Sequence, residues 1–320
     1  MATTTVNTTN YAGEFAGQYI GSALLEQVSL QNGIFTVKPN IKYKQTVKRA
    51  TISGQLVADA SCDFTSTATI TLDDRVLEPK ELQINVEQCK LDFANDWDAL
   101  SMGIGAFDQL PRKYEDYIIA RMLEKHMAQT ESNLYTGDAS NSGEFNGFAT
   151  LIALDANLPA AQEVTGTTVA AANVIDELAS ILDATPTRVR QQPDFYIAVA
   201  PNIYYAYVRA LGGFASGGVG ANGVDNKGTT WWNGGTGNIL FEGVPLKLAN
   251  GLDSNVAFAT YTANLWFGTG LLSDHNEVSL IDMAPTLGSK NVRFVARYTS
   301  GVQYGFAGDV VTYGIVNSAN

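Results

Sequence analysis

PRKYEDYIIARMLEKHMAQTESNLYTGD, residues 111–138, decides how the rest of the chain is read. Ile118, Ile119, Met122, Leu123, His126 and Met127 recur at three-four spacing, with Tyr114 a turn earlier, so one face is apolar along much of its length. Pro111 stands where a first-turn proline is favoured, and Gly137 ends the run. At 1.5 Å per residue, about 25 helical residues within 111–136 make a rod of about 37 Å. A rod of that length is either a platform for a site or a girder. What flanks it separates the two.

Upstream the period changes from helical to two. In GIFTVKPNIKYKQTVKRATISGQL, residues 33–56, Ile41, Tyr43 and Val47 fall on one side and Lys42, Lys44 and Lys48 on the other. Residues 27–58 hold Lys38, Lys42, Lys44, Lys48 and Arg49 and no acidic residue. TSTATITLDDRVLEPKELQINVEQCKLDF, residues 65–93, alternates again. Ile70 and Leu72 predict one strand, Leu82, Ile84 and Val86 a second, and DDRVLEPKE the turn between them. That register would bring Cys62 and Cys89 near one another, as two small buried side chains or as a disulfide. Residues 73–98 carry eight acidic against three basic residues. Ribbons of opposite sign suit recognition between copies of one chain, because complementary charge steers association and fixes register. They equally describe two solvated strands, and the lysine edge could instead face nucleic acid.

Other segments sort by the same rules. Residues 11–28 read as a helix. TTVAAANVIDELASILDATP, 167–186, is an amphipathic helix with Pro186 past its end. DFYIAVAP, 194–201, is a buried strand leading into a helix, NIYYAYVRALG, so a mixed α/β layer is expected. Residues 212–237 contain ten glycines and cannot pack a core alone; Trp231 and Trp232 within them call for a partner surface. Further strands follow, and Thr299, Ser300 and Gly301 predict a turn between KNVRFVARY and VQYGF.

Composition narrows the function. The chain has 320 residues, 16% charged, with a net charge of −12 and a pI near 4.6, so it lacks the basic footprint of a protein that clamps nucleic acid. Low charge implies polar surface made from Thr, Asn, Ser and Gly. The two cysteines form no CxxC pair, and no apolar run of 18 residues is present, so no zinc ribbon and no membrane span is expected. No signal peptide is read at the N-terminus. Catalytic patterns are missing too. His126 lies on an apolar helix face and reads as a core histidine; His275 lies in a polar turn. Asp73 with Asp74, and Asp96 with Asp98, read as solvated acidic turns. There is no GxSxG elbow, HExxH or EF-hand loop, and GGVGANG lacks the order of a phosphate-binding loop. No enzyme activity, metal or cofactor is expected.

The order of parts — an arm, an extended ribbon, a long helix, FNGF opening a mixed layer, a glycine-rich excursion, closing strands — resembles the major capsid protein of tailed bacteriophages, the HK-ninety-seven-type α+β fold. The resemblance spans nearly the whole chain and rests on element order. It implies an N-terminal arm at 1–32 and an extended β-hairpin loop at 33–92 lying across a neighbouring subunit. A peripheral domain with its spine helix would follow at 93–144, an axial domain at 145–270, and closing strands of the peripheral domain at 271–320. It further implies self-assembly into hexamers and pentamers of an icosahedral head around double-stranded DNA, held without sequence specificity. Assembly would take place in the host cytoplasm, with scaffolding, portal and decoration proteins as partners. The sequence starts almost directly with its arm, so a scaffold, if used, would be a separate protein. Lys–Asn cross-links, known in the family, would need a carboxylate that the sequence does not place. Ile41, Lys42, Tyr43, Lys44, Val47, Lys48, Trp231 and Trp232 are the expected inter-subunit contacts. An encapsulin-like compartment would use the same fold. A β-rich carbohydrate-binding or hydrolytic protein, with Trp231 and Trp232 as a stacking platform, is the reading of another class.

Overall fold

The computed structural model describes residues 28–41, 43–57, 59, 66–89, 112–210, 239–270 and 278–318. In chain order, α1 (Val28–Gln31), β1 (Thr36–Lys38), β2 (Gln45–Gly54), β3 (Ala68–Leu77) and β4 (Lys80–Cys89) precede the long helix α2 (Arg112–Thr136). Next come α3 (Phe148–Ile152), β5 (Glu163–Val164), α4 (Val174–Asp183), α5 (Thr187–Arg190), β6 (Phe195–Val199) and α6 (Pro201–Ala210). The chain closes through β7 (Leu240–Phe241), β8 (Val244–Leu248), β9 (Ala257–Tyr261), β10 (Leu265–Thr269), β11 (Val278–Asp282), α7 (Ala284–Leu287), β12 (Asn291–Tyr304) and β13 (Val311–Tyr313).

Two sheets and a projecting hairpin organise these elements. In the first sheet β12 is the axis: β4 runs along one edge, while β11 and β10 share the other, and β1 adds parallel to β10. Val292, Phe294, Ala296 and Tyr298 alternate inward along β12, with Arg293 and Arg297 outward, as period two demands. Helix α2 lies against this sheet through His126, whose ring meets Tyr298 edge-on at 4.3 Å. Its buried stripe continues through Thr130, Glu131, Leu134 and Tyr135, past the point where apolar residues alone would trace it. Glu131 is buried because Ser29 caps it: the Ser29 hydroxyl and amide both donate to its carboxylate, and Tyr135 Oη donates to Ser29 Oγ at 2.7 Å. That chain of bonds ties α1 to α2.

The second sheet has the order β5-β13-β9-β6-β8-β7. All five residues of β6 are buried, which a strand with neighbours on both edges and helices on a face requires. Helix α4 buries Val174, Leu178, Ile181 and Leu182 against it, with Asp176 and Glu177 in the first turn where the helix dipole favours acids. Between the sheets, Tyr135, Phe148, Phe258 and Tyr304 belong to one core, with Phe148 4.6 Å from Phe258 and 5.9 Å from Tyr304. The long helix, the mixed layer and the buried strand with its following helix are where the periodicity puts them.

Four expectations need correction. Strands at 70–72 and 82–86 do not pair with each other: β3 pairs with β2, and β4 turns back to β12. The segment DDRVL is therefore strand, and the corner is Glu78-Pro79, where proline ends the ladder. Asp73 and Asp74 accordingly sit in β3, not in a turn. Residues 299–301 make no turn, since β12 runs straight through them. Gly301 serves close approach instead: a Cβ there would lie 2.9 Å from Pro79 Cα and 3.1 Å from the Glu78 carbonyl oxygen. Lastly, the closing strands divide between the sheets, with β13 inserted between β5 and β9. Cys89 is a free thiol opposite Asn291; Cys62 lies outside the described residues, as do His275, Asp96, Asp98, the segment 212–237 and all but Val28 of the helix expected at 11–28.

Candidate assembly surface

Strands β2 and β3 form an antiparallel hairpin whose register runs from Gln45↔Leu77 to Gly54↔Ala68. Ten residues per strand extend about 33 Å. Opposed residues share a face. One face carries Lys48, Ala50 and Ile52 opposite Asp74, Leu72 and Ile70. Ile52, Ile70 and Leu72 are 52%, 64% and 72% exposed, so this apolar face has no cover among the described residues. The other face carries Val47 and Arg75 near the root and threonines and a serine toward the tip.

The root is anchored. Leu77 is fully buried with Ile41 and Trp266, and Val47 packs on that cluster. Space there is tight: a Cβ on Gly268 would meet Leu77 at 2.9 Å and Ile41 at 3.0 Å. Gln303 Nε2 donates to the Val76 carbonyl at 3.0 Å. Arg75 forms an ion pair with Asp155, and its guanidinium lies 4.8 Å over the Tyr304 ring. Tyr304 Oη donates to Asp155 Oδ2 at 2.5 Å; Asn157 donates to Oδ1 from its backbone at 3.0 Å and its amide at 2.8 Å. Burial alone would raise the Asp155 carboxyl, but the bonds from Tyr304, Asn157 and Arg75 outweigh it and hold the pKa down to about 2.

The expected contact residues fare differently. Ile41 is only 6% exposed and covered by its own chain, so it is not free for a neighbour. Its cover is Leu77, which the misread pairing had placed in a turn. Val47 is half-buried on the same cluster. Tyr43 is 73% exposed, with the Lys44 ammonium 5.3 Å over its ring. Lys44 pairs with Glu78 at 2.8 Å, and Lys48 stands opposite Asp74. Within one chain the opposite-signed strands β2 and β3 thus pair with each other. Lys42, Trp231 and Trp232 lie outside the described residues. Sequence reading missed the trio Ile52, Ile70 and Leu72 as a face. The signal was present, since an acid-free strand and a strand bearing Asp73-Asp74 are natural partners. Arg75, Asp155 and Tyr304, separated by 80 and 149 positions in turn, gave no such signal.

Nothing among the described residues resembles a catalytic centre. No three metal-ligating side chains gather there, and no described helix is long and apolar enough to cross a membrane. A cavity of about 480 Å³ beside Val28, Met127 and Leu252 contains Glu131, already engaged by Ser29. Burial lowers His126 to a pKa of about 4, which makes it a neutral core imidazole.

No family model and no curated protein matches the chain. Solved structures do. A subunit of the capsid of a native GTA particle superposes with a TM-score of 0.58 at 15% identity, covering 99% of this chain and 95% of that one. The capsid of Myoviridae phage XM1 gives 0.55 at 11% identity, covering 98% and 95%. This is the HK-ninety-seven-type capsid fold. The satellite phage P4 procapsid, which includes a size determination protein, gives 0.53 at 10% identity and covers 94% and 99%. In this fold α2 is the long helix, and β2 and β3 form a two-stranded sheet of their own, joined to the first sheet at its root.

Proposed function

We propose that this chain is a structural major capsid protein, building the hexamers and pentamers of an icosahedral phage head around double-stranded DNA. One observation carries the reading: on a capsid fold, a hairpin arm of about 33 Å presents an apolar face that the described residues leave uncovered. A two-stranded hairpin is at best marginally stable alone. Its root is held by Leu77 and Arg75, and the rest would gain cover by lying on another copy. A head-to-tail contact closes into rings when its rotation divides the full turn, as hexamers and pentamers would require.

In that role the first sheet with α2 is the peripheral domain, and the second sheet with α4 and α6 is the axial domain. Partners would be other copies of the chain, a scaffolding or size-determining protein, a portal and decoration proteins. The role is structural, without catalysis. The net charge of −12 suits a wall that does not grip packaged DNA. Expression of the chain, alone and with the neighbouring genes of its source, followed by electron microscopy, tests the proposal. Closed shells or capsomers are expected. A protein that stays monomeric at high concentration in every combination would refute it.

A further inference from the structure

The arm leaves the body at one place, and the fixing of its direction there rests on few groups. Leu77 and Val47 supply an apolar plug, which resists withdrawal but is not directional. Gln303 bonds the Val76 carbonyl. Among the described residues the hairpin's inner face also meets the body through Arg75 on Asp155 and Tyr304, and this contact is directional. Asp155 is oriented without help from the arm: Asn157 occupies Oδ1 twice, Tyr304 occupies one side of Oδ2, and Asn317 holds the Asp155 carbonyl at 2.9 Å. What remains open is an acceptor position on Oδ2 beside the face of an aromatic ring. That shape suits a planar guanidinium, which bonds in its plane and stacks over a ring, better than an ammonium.

We propose that Arg75, Asp155 and Tyr304 are positioning residues that set the angle at which the arm leaves the subunit, and through it the curvature of the assembled shell. The inference rests on the assembly role proposed above. The lever makes a small root adjustment matter. Over an arm of about 33 Å, a swing of about 10° moves the tip by roughly 6 Å, a full side-chain contact. A contact displaced by that much either fails or seats the next subunit at another tilt, so fixing the root fixes the ring. The three residues belong to three separate stretches of chain — β3, the turn after α3, and the end of β12 — so the triad reports the relative placement of all three.

The test uses the full chain with Cys62→Ser and Cys89→Ser, and nitroxide labels on Ser53→Cys in the arm and Ser140→Cys on the body. Pulsed electron spin resonance then reads the arm–body distance distribution in unassembled subunits, and electron microscopy reads particle diameters. With Arg75 intact, one narrow distribution and one dominant diameter are expected. With Arg75→Lys, which keeps the charge but not the fork, the distribution should broaden at least twofold and diameters should become heterogeneous. Tyr304→Phe should show the same trend more weakly. Should Asp155→Asn fail to fold, Arg75→Lys and Arg75→Gln, made on the arm side, still decide the matter. Unchanged distance width and unchanged diameters in Arg75→Lys would overturn the inference. If the unsubstituted chain makes no particles, alone or with its neighbouring gene products, the assembly role fails, while the distance measurement still tests whether the triad holds the arm.

Discussion

Replacing Ile52, Ile70 and Leu72 together with threonine should abolish assembly at concentrations where the natural chain assembles, while leaving the subunit folded. Burying an aliphatic side chain of this size completely is worth about 1.5–3 kcal/mol. Scaled by exposures of 52%, 64% and 72%, the three hold about 4 kcal/mol per arm that burial on a neighbour could still recover. Threonine keeps one methyl group and the β-branch that strands favour. The substitution therefore removes most of this apolar gain, about 3 kcal/mol per contact, without attacking the hairpin. That is roughly a hundredfold in the association constant of each arm. Subunit stability should change by less than about 0.5 kcal/mol per site, because the side chains are exposed in the free subunit. Sedimentation velocity over a concentration series measures the assembly threshold, and circular dichroism with thermal melting checks the fold. The threshold should rise about a hundredfold with an unchanged melt. A threshold within twofold of the natural chain would refute the reasoning that this face is the buried one.

Other expectations follow from buried groups. Leu77→Ala removes a fully buried side chain from the arm's root and should cost about 3 kcal/mol in chemical denaturation, because Ile41 and Trp266 are wedged too tightly to fill the space. His126 has a folded pKa of about 4 against 6.5, so folding favours its neutral form: its contribution is present above pH 6.5 and is lost as pH falls toward 4. His126→Phe, which keeps a ring against Tyr298, should remove about 3 kcal/mol of acid destabilisation in that window, read from denaturation midpoints at pH 7 and pH 4. Burial raises the Glu131 carboxyl, so its protonated form is the one folding favours, and stability from this group is lost as pH rises through the raised value. Glu131→Gln should flatten that part of the pH–stability curve; an unchanged slope would remove Glu131 as its source.

Much of the architecture was legible because the long elements carry clean periods. Helix α2 announces itself by three-four spacing and its end by Gly137; β6 by an unbroken apolar run; β12 by Val292, Phe294 and Ala296. Strand pairing was not legible to the same degree. Ile70 and Leu72 alternate just as Leu82 and Ile84 do, and alternation says that a segment is a strand, not which strand it meets. Charge would have chosen correctly: Lys48 and Arg49 fall opposite Asp74 and Asp73 in the register. Gly301 misled because glycine signals a turn and a close approach equally well, and only the Glu78-Pro79 corner above it decides. At the candidate surface, Ile41 looked like its alternating neighbours, yet it is held by Leu77 and Trp266, which are distant in sequence. The Arg75–Asp155–Tyr304 group is legible only in three dimensions. Each of its members is an ordinary residue in its own segment, and the group exists only where the turn after α3 meets β12.

The most direct measurement is electron cryomicroscopy of the assembled protein at a resolution that shows side chains. Ile52, Ile70 and Leu72 should then be packed against a second copy, with Arg75 still on Asp155 at the root. Particles in which that face stays open to solvent, with subunits joined elsewhere, would contradict the account.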